Sequence, residues 1–178
     1  MMKKSLLFLL VLLFSYTIQA QTTEQTWRIN AVNPGVEYEQ PVSSKSTVSL
    51  NVGVGYNGSY PKLSNTIGTG VLYAFAPFAD LQFKRFYNLD KRASRDKTTA
   101  HNSGNFISLR FRTRGKSIKD NFYRYADYDF AIGPTWGIQR RYGRFHLLLD
   151  IGPQFYFDSK GNSGFWPLMP QINMGIDL

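Results

Sequence analysis

Apolar and polar residues alternate with a period of two along most of this chain. Within 47–57, the even positions are apolar, whereas the odd positions hold small or polar residues. Successive side chains of a β-strand point to opposite faces, so this period indicates a strand with one apolar face. Similar segments lie at 32–40, 71–89, 105–112, 127–139, 145–158 and 166–178. The sequence therefore predicts an all-β, antiparallel fold.

The residues just before position 33 form a candidate eighth strand. Trp27 and Ile29 place apolar residues on odd positions, whereas Val36 and Tyr38 place them on even positions. A slip of one residue marks a turn or a bulge, and the residues at 33–35 have turn chemistry. The alternating segments above number seven, and an eighth would make the number even, as it is in bacterial membrane barrels. We therefore expect a strand within 23–32, with one long bulged strand as the alternative.

The composition of the polar face separates membrane barrels from soluble ones. A soluble sandwich or lipocalin-like barrel also alternates, but its polar face meets water. Here that face is rich in Gly, Ala, Ser, Asn and Thr, which fit a narrow lumen. The apolar face is edged by aromatic residues, namely Tyr56, Tyr73, Tyr87, Tyr128, Phe145, Phe157 and Trp166. These features are typical of an up-and-down transmembrane β-barrel with eight strands.

The connections between the predicted strands also alternate in length. The segments 41–46 and 140–144 are short, whereas 58–70, 113–126 and 159–165 are longer and polar. Outer-membrane barrels have short periplasmic turns and longer external loops. The long, basic segment 90–104 falls on the turn side and is the exception.

The first twenty residues predict export. Lys3 and Lys4 precede an apolar run at 5–14, and Ala20 offers a small residue for cleavage. The run is shorter than the roughly 20 residues that a spanning helix needs, so we expect a signal peptide at 1–20 and a barrel domain at 21–178. The chain has no Cys, so we expect no disulfides and no lipoprotein anchor. The predicted location is the outer membrane.

The basic balance of the chain suggests anionic partners. The net charge is +9, and it becomes +7 when Lys3 and Lys4 leave with the signal peptide. An exported chain rarely meets nucleic acid, so lipid headgroups or lipopolysaccharide phosphates are the expected counter-charges. The residues predicted to contact headgroups are Lys91, Arg92, Arg95 and Lys97.

Charged residues on the polar face predict a filled lumen. An eight-stranded barrel is only wide enough for its own side chains, and buried charges must be paired. We therefore expect a structural network of salt bridges, with a proton or ion path as the alternative. Its predicted members are Glu37, Glu39, Asp80, Lys84, Arg110, Arg112, Asp129, His146, Asp150 and Asp177, and Arg144 is also expected to point inward.

Catalytic signatures are sparse in the sequence. No nucleotide-binding glycine loop or metal-ligand spacing occurs. His101 and Ser103 lie close together in sequence, but adjacency in sequence does not make a catalytic triad. We predict no catalytic, cofactor-binding or metal-binding residues, and we keep an enzyme acting on lipid A as an alternative.

Two similar segments carry a proline in the middle of a predicted strand. Pro134 and Pro153 occur in neighbouring segments that read as a hairpin. With Tyr142 and Gly143 as the loop, Trp136 would lie opposite Leu149. Proline in mid-strand removes a ladder donor, and we expect a local kink in the barrel wall.

Five short motifs underlie a family resemblance. They are Asn33-Pro-Gly-Val-Glu-Tyr-Glu39, Gly53-Val-Gly-Tyr56, Tyr87-Asn-Leu-Asp-Lys-Arg92, Asn102-Ser-Gly-Asn105 and Ile132-Gly-Pro-Thr-Trp-Gly137. With them, the mature chain resembles the small uncharacterised outer-membrane β-barrel proteins of Bacteroidota and, more distantly, OmpX- and OmpA-type barrels. The resemblance implies insertion by the barrel-assembly machinery and contact with outer-membrane lipids and lipopolysaccharide.

Three functions are compatible with these observations. The first is a monomeric, side-chain-filled barrel with a structural or surface-interaction role. The second is a lipid-modifying enzyme or a lipid- or lipopolysaccharide-binding barrel of the same membrane. The third is a soluble periplasmic β-barrel carrier whose apolar face lines a ligand cavity.

Overall fold

The computed structural model describes residues 22–56, 73–121 and 124–178. The predicted signal peptide at 1–20 and the predicted loop at 58–70 lie outside these ranges. Within them, no helix has the length and apolar character needed to cross a membrane.

The described chain consists mainly of β-strands. The strands are β1 Thr26–Asn30, β2 Gly35–Ser43, β3 Ser46–Tyr56, β4 Ala74–Phe86, β5 Asn105–Arg114, β6 Lys119–Asp120, β7 Asp129–Tyr142, β8 Phe145–Asp158 and β9 Ser163–Asp177. One short helix, α1 (Leu89–Ala93), and a 3₁₀ turn at Ala100–Asn102 lie between β4 and β5.

Eight of these strands close into a ring. Each pairs antiparallel with its neighbour in chain order, and β1 pairs with β9 to complete the circle. The two-residue β6 adds only a short pairing to β4. β1 lies inside the 23–32 segment and is separated from β2 by a turn at 31–34. The predictions of an all-β antiparallel fold and of an eighth strand are therefore confirmed.

The two faces of the ring differ in polarity, and the polar face is the buried one. Glu39 and Lys84 are fully buried, whereas Ile107 and Leu109 on the outer face are each 54% exposed. The same alternation runs along β4, where every second residue from Ala74 to Phe86 is buried. The ring thus has a polar interior and an apolar outer surface.

The hairpin of β7 and β8 differs from its predicted register. Tyr142 pairs with Phe145, and Trp136 pairs with Ile151 rather than with Leu149. The loop is Gly143-Arg144, and Gly143 has a φ of 62°, a left-handed value that suits glycine. The prediction was wrong by two residues, which leaves the faces unchanged because side chains alternate with a period of two.

Two further expectations are corrected by the register. Arg144 lies in the exposed loop of this hairpin and does not point into the ring. Trp166 pairs with the buried Gln154 and therefore lies on the inner face, not in an outer aromatic belt. A register shift between Gly152 and Gln154 exchanges the faces of β9 at this point.

The prolines lie where the pairing of β7 with β8 is interrupted. Ladder pairs stop at Ile132 and resume at Trp136. An added Cβ at the inward Gly133 would lie 2.1 Å from the Pro153 carbonyl oxygen, and one at Gly152 would lie 2.1 Å from the Pro134 oxygen. Each proline carbonyl therefore occupies space beside the opposite glycine, on the inner side of the wall.

The segment 87–104 between β4 and β5, called the cap below, covers one end of the ring. This end, which also carries the hairpin loops 44–45 and 143–144, is called the turn end below, and the opposite end is called the loop end. Leu89 packs with Phe86, Phe106 and Leu148 in a buried apolar cluster. Asn102 is also buried, and its side-chain amide exchanges hydrogen bonds with the backbone of Glu24 at 2.7 and 2.8 Å.

Candidate functional site in the interior of the ring

Arg28 is the centre of the ion-pair cluster nearest the turn end. It lies opposite Glu37 on β2 and Asp177 on β9 in the strand register. Its Nη1 donates to Glu37 Oε1 at 3.0 Å and to Glu39 Oε2 at 2.5 Å, and its Nε donates to Asp177 Oδ1 at 2.9 Å. Opposite residues of paired strands share a face, so β-sheet geometry alone brings these charges together.

Lys84 is the second buried cation of this cluster. Its Nζ lies 3.4 Å from Glu37 Oε1 and 3.6 Å from Glu39 Oε1, and it donates to Gln139 Oε1 at 3.0 Å. Thr47 Oγ1 donates to the same Oε1 atom of Glu39 at 2.5 Å. The two glutamates are therefore held by charge-assisted bonds from several strands, which are the stronger class of hydrogen bond.

The cap contributes to the same cluster from the turn end. The backbone oxygen of His101 accepts from Arg28 Nη2 at 3.2 Å and from Gln139 Nε2 at 3.1 Å. The Nδ1 atom of His101 lies 3.4 Å from Asp177 Oδ2, and that of the fully buried His146 lies 3.7 Å from Asp177 Oδ1. The cap is thus tied to the ring by polar contacts as well as by its apolar cluster.

A second layer lies halfway along the ring. Arg110 makes a two-pronged contact with Asp80, and its Nη1 lies 3.4 Å from Asp150 Oδ1. Gln82 donates to Asp150 Oδ2 at 3.1 Å and to Ser108 Oγ at 2.9 Å. This layer joins β4, β5 and β8 across the interior.

A third layer lies towards the loop end. Asp129 accepts from Arg114 Nε and from Arg124 Nη2, both at 2.9 Å. Arg112 points inward beside it, with its guanidinium carbon 5.9 Å from the centre of the Phe78 ring. The three layers together occupy the interior from one end of the strands to the other.

The space between the first two layers is small. A cavity of about 10 Å³ lies between the first two layers, lined by Glu37, Asn51, Asp80 and Gln171 among others. A cavity needs roughly 10–15 Å³ to hold one water molecule. Side chains therefore fill this part of the ring.

All ten predicted network residues lie on the inner face of the ring. The four residues predicted to contact headgroups lie on the cap instead. Lys91, Arg95 and Lys97 are exposed on the cap at the turn end. Arg92 lies beside them, and its guanidinium donates to the Thr98 carbonyl at 3.1 and 2.9 Å.

Sequence reasoning missed Arg28, although it forms ion pairs with three carboxylates. Its strand was inferred from Trp27 and Ile29 alone, and no inward residue was assigned to it. The alternation contained the signal, since Thr26, Arg28 and Asn30 occupy the positions between those apolar residues. All three are buried.

The two residues considered for catalysis have structural partners. Ser103 is buried, and its Oγ accepts from the backbone N–H of Arg141 at 3.0 Å. The backbone N–H of His101 donates to Glu24 Oε2 at 3.1 Å, and its Nδ1 atom lies 3.4 Å from Asp177 Oδ2 without a hydrogen bond. In the three described ranges, no group of three or more His, Asp or Glu side chains is arranged to hold a metal ion.

The fold and its interior define a class: an all-β protein whose eight antiparallel strands close around a paired, polar interior. A scan against protein-family models, a search of the curated proteins and a search of the solved structures find no match to this chain.

Proposed function

We propose that this protein is a transmembrane β-barrel of an outer membrane, with a side-chain-filled lumen and a structural or surface-interaction role. The observation that carries the proposal is the sidedness of the ring. Apolar side chains cover the outside, and ion pairs occupy the inside. Large exposed apolar surfaces on a protein mark contact with a membrane or with another protein.

The height of the apolar surface suits a bilayer. On β8 every second residue from Phe145 to Phe157 is apolar and lies on the outer face. These positions span twelve steps of about 3.3 Å, or roughly 40 Å along the strand. A tilt of roughly 40° reduces this to about 30 Å, which covers the apolar band of about 25 Å in such barrels.

Aromatic residues at both ends of the outer surface support the same proposal. At the turn end, the Trp27 and Tyr38 rings lie 4.5 Å apart, and Trp136 donates to the Tyr87 hydroxyl at 2.7 Å. At the loop end, Tyr56 and Phe157 are on the outer side. Aromatic girdles at the two membrane interfaces are a property of outer-membrane barrels.

The paired interior favours a structural role over conduction. Ion pairs in the interior, including one between Arg141 Nε and Asp177 Oδ2 at 3.5 Å, join six basic side chains to six acidic ones. The members are Arg28, Lys84, Arg110, Arg114, Arg124 and Arg141 with Glu37, Glu39, Asp80, Asp129, Asp150 and Asp177. Such a network fixes side chains in place, and the cavity between its first two layers measures only about 10 Å³. A carrier with an apolar ligand cavity would need the opposite sidedness.

The three tryptophans provide the test, because they differ in the face they occupy. We would prepare three single-tryptophan variants, with Phe at the other two positions, and measure fluorescence quenching by brominated lipids. Trp27 and Trp136 face outward and are expected to be quenched, whereas Trp166 faces inward and serves as the internal control. Equal quenching of Trp136 and Trp166, or no shift in gel mobility on boiling, would reject membrane insertion.

A further inference from the structure

A groove interrupts the outer surface beside Pro134 and Pro153. It has a volume of about 590 Å³, within the roughly 300–1,000 Å³ of small-molecule sites. Its mid-wall row crosses four adjacent strands and consists of Phe83, Leu109, Pro134 and Pro153.

The compact proline rings and the inward lean of their carbonyls explain this depression. Pro134 and Pro153 place little side-chain volume on the outer face, and their carbonyls lie towards Gly152 and Gly133 on the inner side. The floor of the groove is therefore apolar, and Ile107 and Trp136 line it beside the row of prolines.

The end of the groove nearest the turn end carries a single cation. Arg85 lines the groove in the row that continues through Ile107, Trp136 and Ile151. It is exposed on an otherwise apolar face, and none of the described residues forms an ion pair with it. An arginine in such a position keeps its stem on apolar surface and its guanidinium at the membrane interface.

Tyr87 follows Arg85 by two residues, just past the end of β4, and adds a hydrogen-bond donor. Its oxygen accepts from Trp136 Nε1 at 2.7 Å and from Asn105 Nδ2 at 3.4 Å. Both contacts use the oxygen as acceptor, so they leave the O–H group available as a donor. A phosphate between Arg85 and Tyr87 would meet a guanidinium and an O–H donor.

We propose that this groove binds one anionic phospholipid of the leaflet at the turn end. One acyl chain lies in the groove along the prolines, and the phosphate is bound by Arg85 and Tyr87. The argument for this occupant is charge complementarity at one end combined with an apolar recess that continues from it. The inference rests on the proposed membrane insertion and adds a specific lipid site to it.

Native mass spectrometry of the detergent-purified, delipidated protein tests the site. The probes are dioleoyl phosphatidylglycerol, dioleoyl phosphatidylcholine and glycerol 1-phosphate. We expect one phosphatidylglycerol to bind with several-fold preference over phosphatidylcholine, and about ten-fold weaker binding in R85Q, since a charge-assisted hydrogen bond is lost. Glycerol 1-phosphate is expected not to displace the lipid, because it lacks the acyl chain.

Matched variants separate the site from general surface effects. R144Q makes the same change at an exposed arginine of the hairpin loop between β7 and β8, and it is expected to bind like the wild type. Leu109→Trp fills the groove and should weaken binding of both lipids, whereas Leu50→Trp on the outer face of β3 should not.

Each variant is first checked for the mobility shift on boiling. Loss of that shift in the wild type would reject the membrane proposal itself. A normal shift combined with equal binding by R85Q and R144Q, equal binding of the two lipids, or displacement by glycerol 1-phosphate would reject the lipid site alone.

Discussion

Replacing Arg28 with methionine is the sharpest test of the interior network. Arg28 is fully buried and contacts three carboxylates at 2.5–3.0 Å. Methionine retains much of the side-chain length but removes the charge, so Asp177 loses its closest cation and the two glutamates keep only Lys84. Removing one partner of a buried ion pair costs about 3–5 kcal/mol, because the other charge stays buried without compensation.

Lys45→Met provides the matched control. The Lys45 Nζ lies 2.5 Å from Asp90, but the two side chains are 44% and 67% exposed. An exposed pair contributes about 0–1 kcal/mol. Both variants therefore exchange a paired lysine or arginine for methionine, and they differ in burial.

The measurement is urea unfolding of the refolded protein in detergent micelles, followed by tryptophan fluorescence and extrapolated linearly to zero urea. We expect R28M to lose at least about 2 kcal/mol more than K45M. Arg28→Lys keeps the charge but not the planar set of N–H donors. Its free energy of unfolding should therefore lie between those of R28M and the wild type. If R28M and K45M lose the same amount within error, the buried network does not stabilise the ring and the reasoning fails.

Three further predictions concern the wall, the cap and the lumen. Gly152→Ala should lower the free energy of unfolding by about 1–3 kcal/mol, because its Cβ would lie 2.1 Å from the Pro134 oxygen; an unchanged urea midpoint would contradict the close approach. Leu89→Ala should remove about 2–5 kcal/mol of packing under the cap, and it should speed tryptic cleavage at 91–97, whereas Leu168→Ala on the outer face should not; equal cleavage rates would show that the cluster does not hold the cap. In planar bilayers the wild-type protein should give no large, stable conductance, because the layer around Arg110 fills the middle of the ring; such a conductance would contradict a filled lumen.

The faces and the number of strands could be predicted from the sequence because they depend on a period of two. The alternation assigned Glu39, Lys84 and Asp150 to the inside, and the structure places them there. Short-range information sufficed, since a residue's face in a strand depends on its position relative to its neighbours.

The register could not be predicted to the residue. The choice between Tyr142-Gly143 and Gly143-Arg144 as the hairpin loop moves every pair by two positions, and both choices keep apolar residues together. The predicted face of Trp166 was wrong for a related reason. A bulge in the pairing of β8 with β9 exchanges the faces of β9 and leaves no clear mark in the local sequence. Which carboxylates meet Arg28 depends on closure of β1 against β9, a contact between the two ends of the chain.

The interior charges also affect which strand register the ring adopts. Ion pairs in a protein interior often stabilise it less than apolar side chains of similar volume would. In a ring with an apolar outside, however, an apolar inside would let a strand slip by one residue at little cost. With the observed sequence, a slip of β2 would turn Glu37 and Glu39 outward and bring Val36 and Tyr38 inward.

That slipped arrangement would carry two penalties. In the proposed membrane barrel, a charged side chain on the lipid face is destabilising, by about 2–4 kcal/mol for Arg or Lys at the bilayer midplane and by less for acidic residues. Arg28 would also lose two of its three carboxylates and stay buried. The network thus selects one register among several that satisfy the hydrogen bonds of the backbone, and this accounts for its charges being spread over β1, β2, β4 and β9 rather than confined to one hairpin.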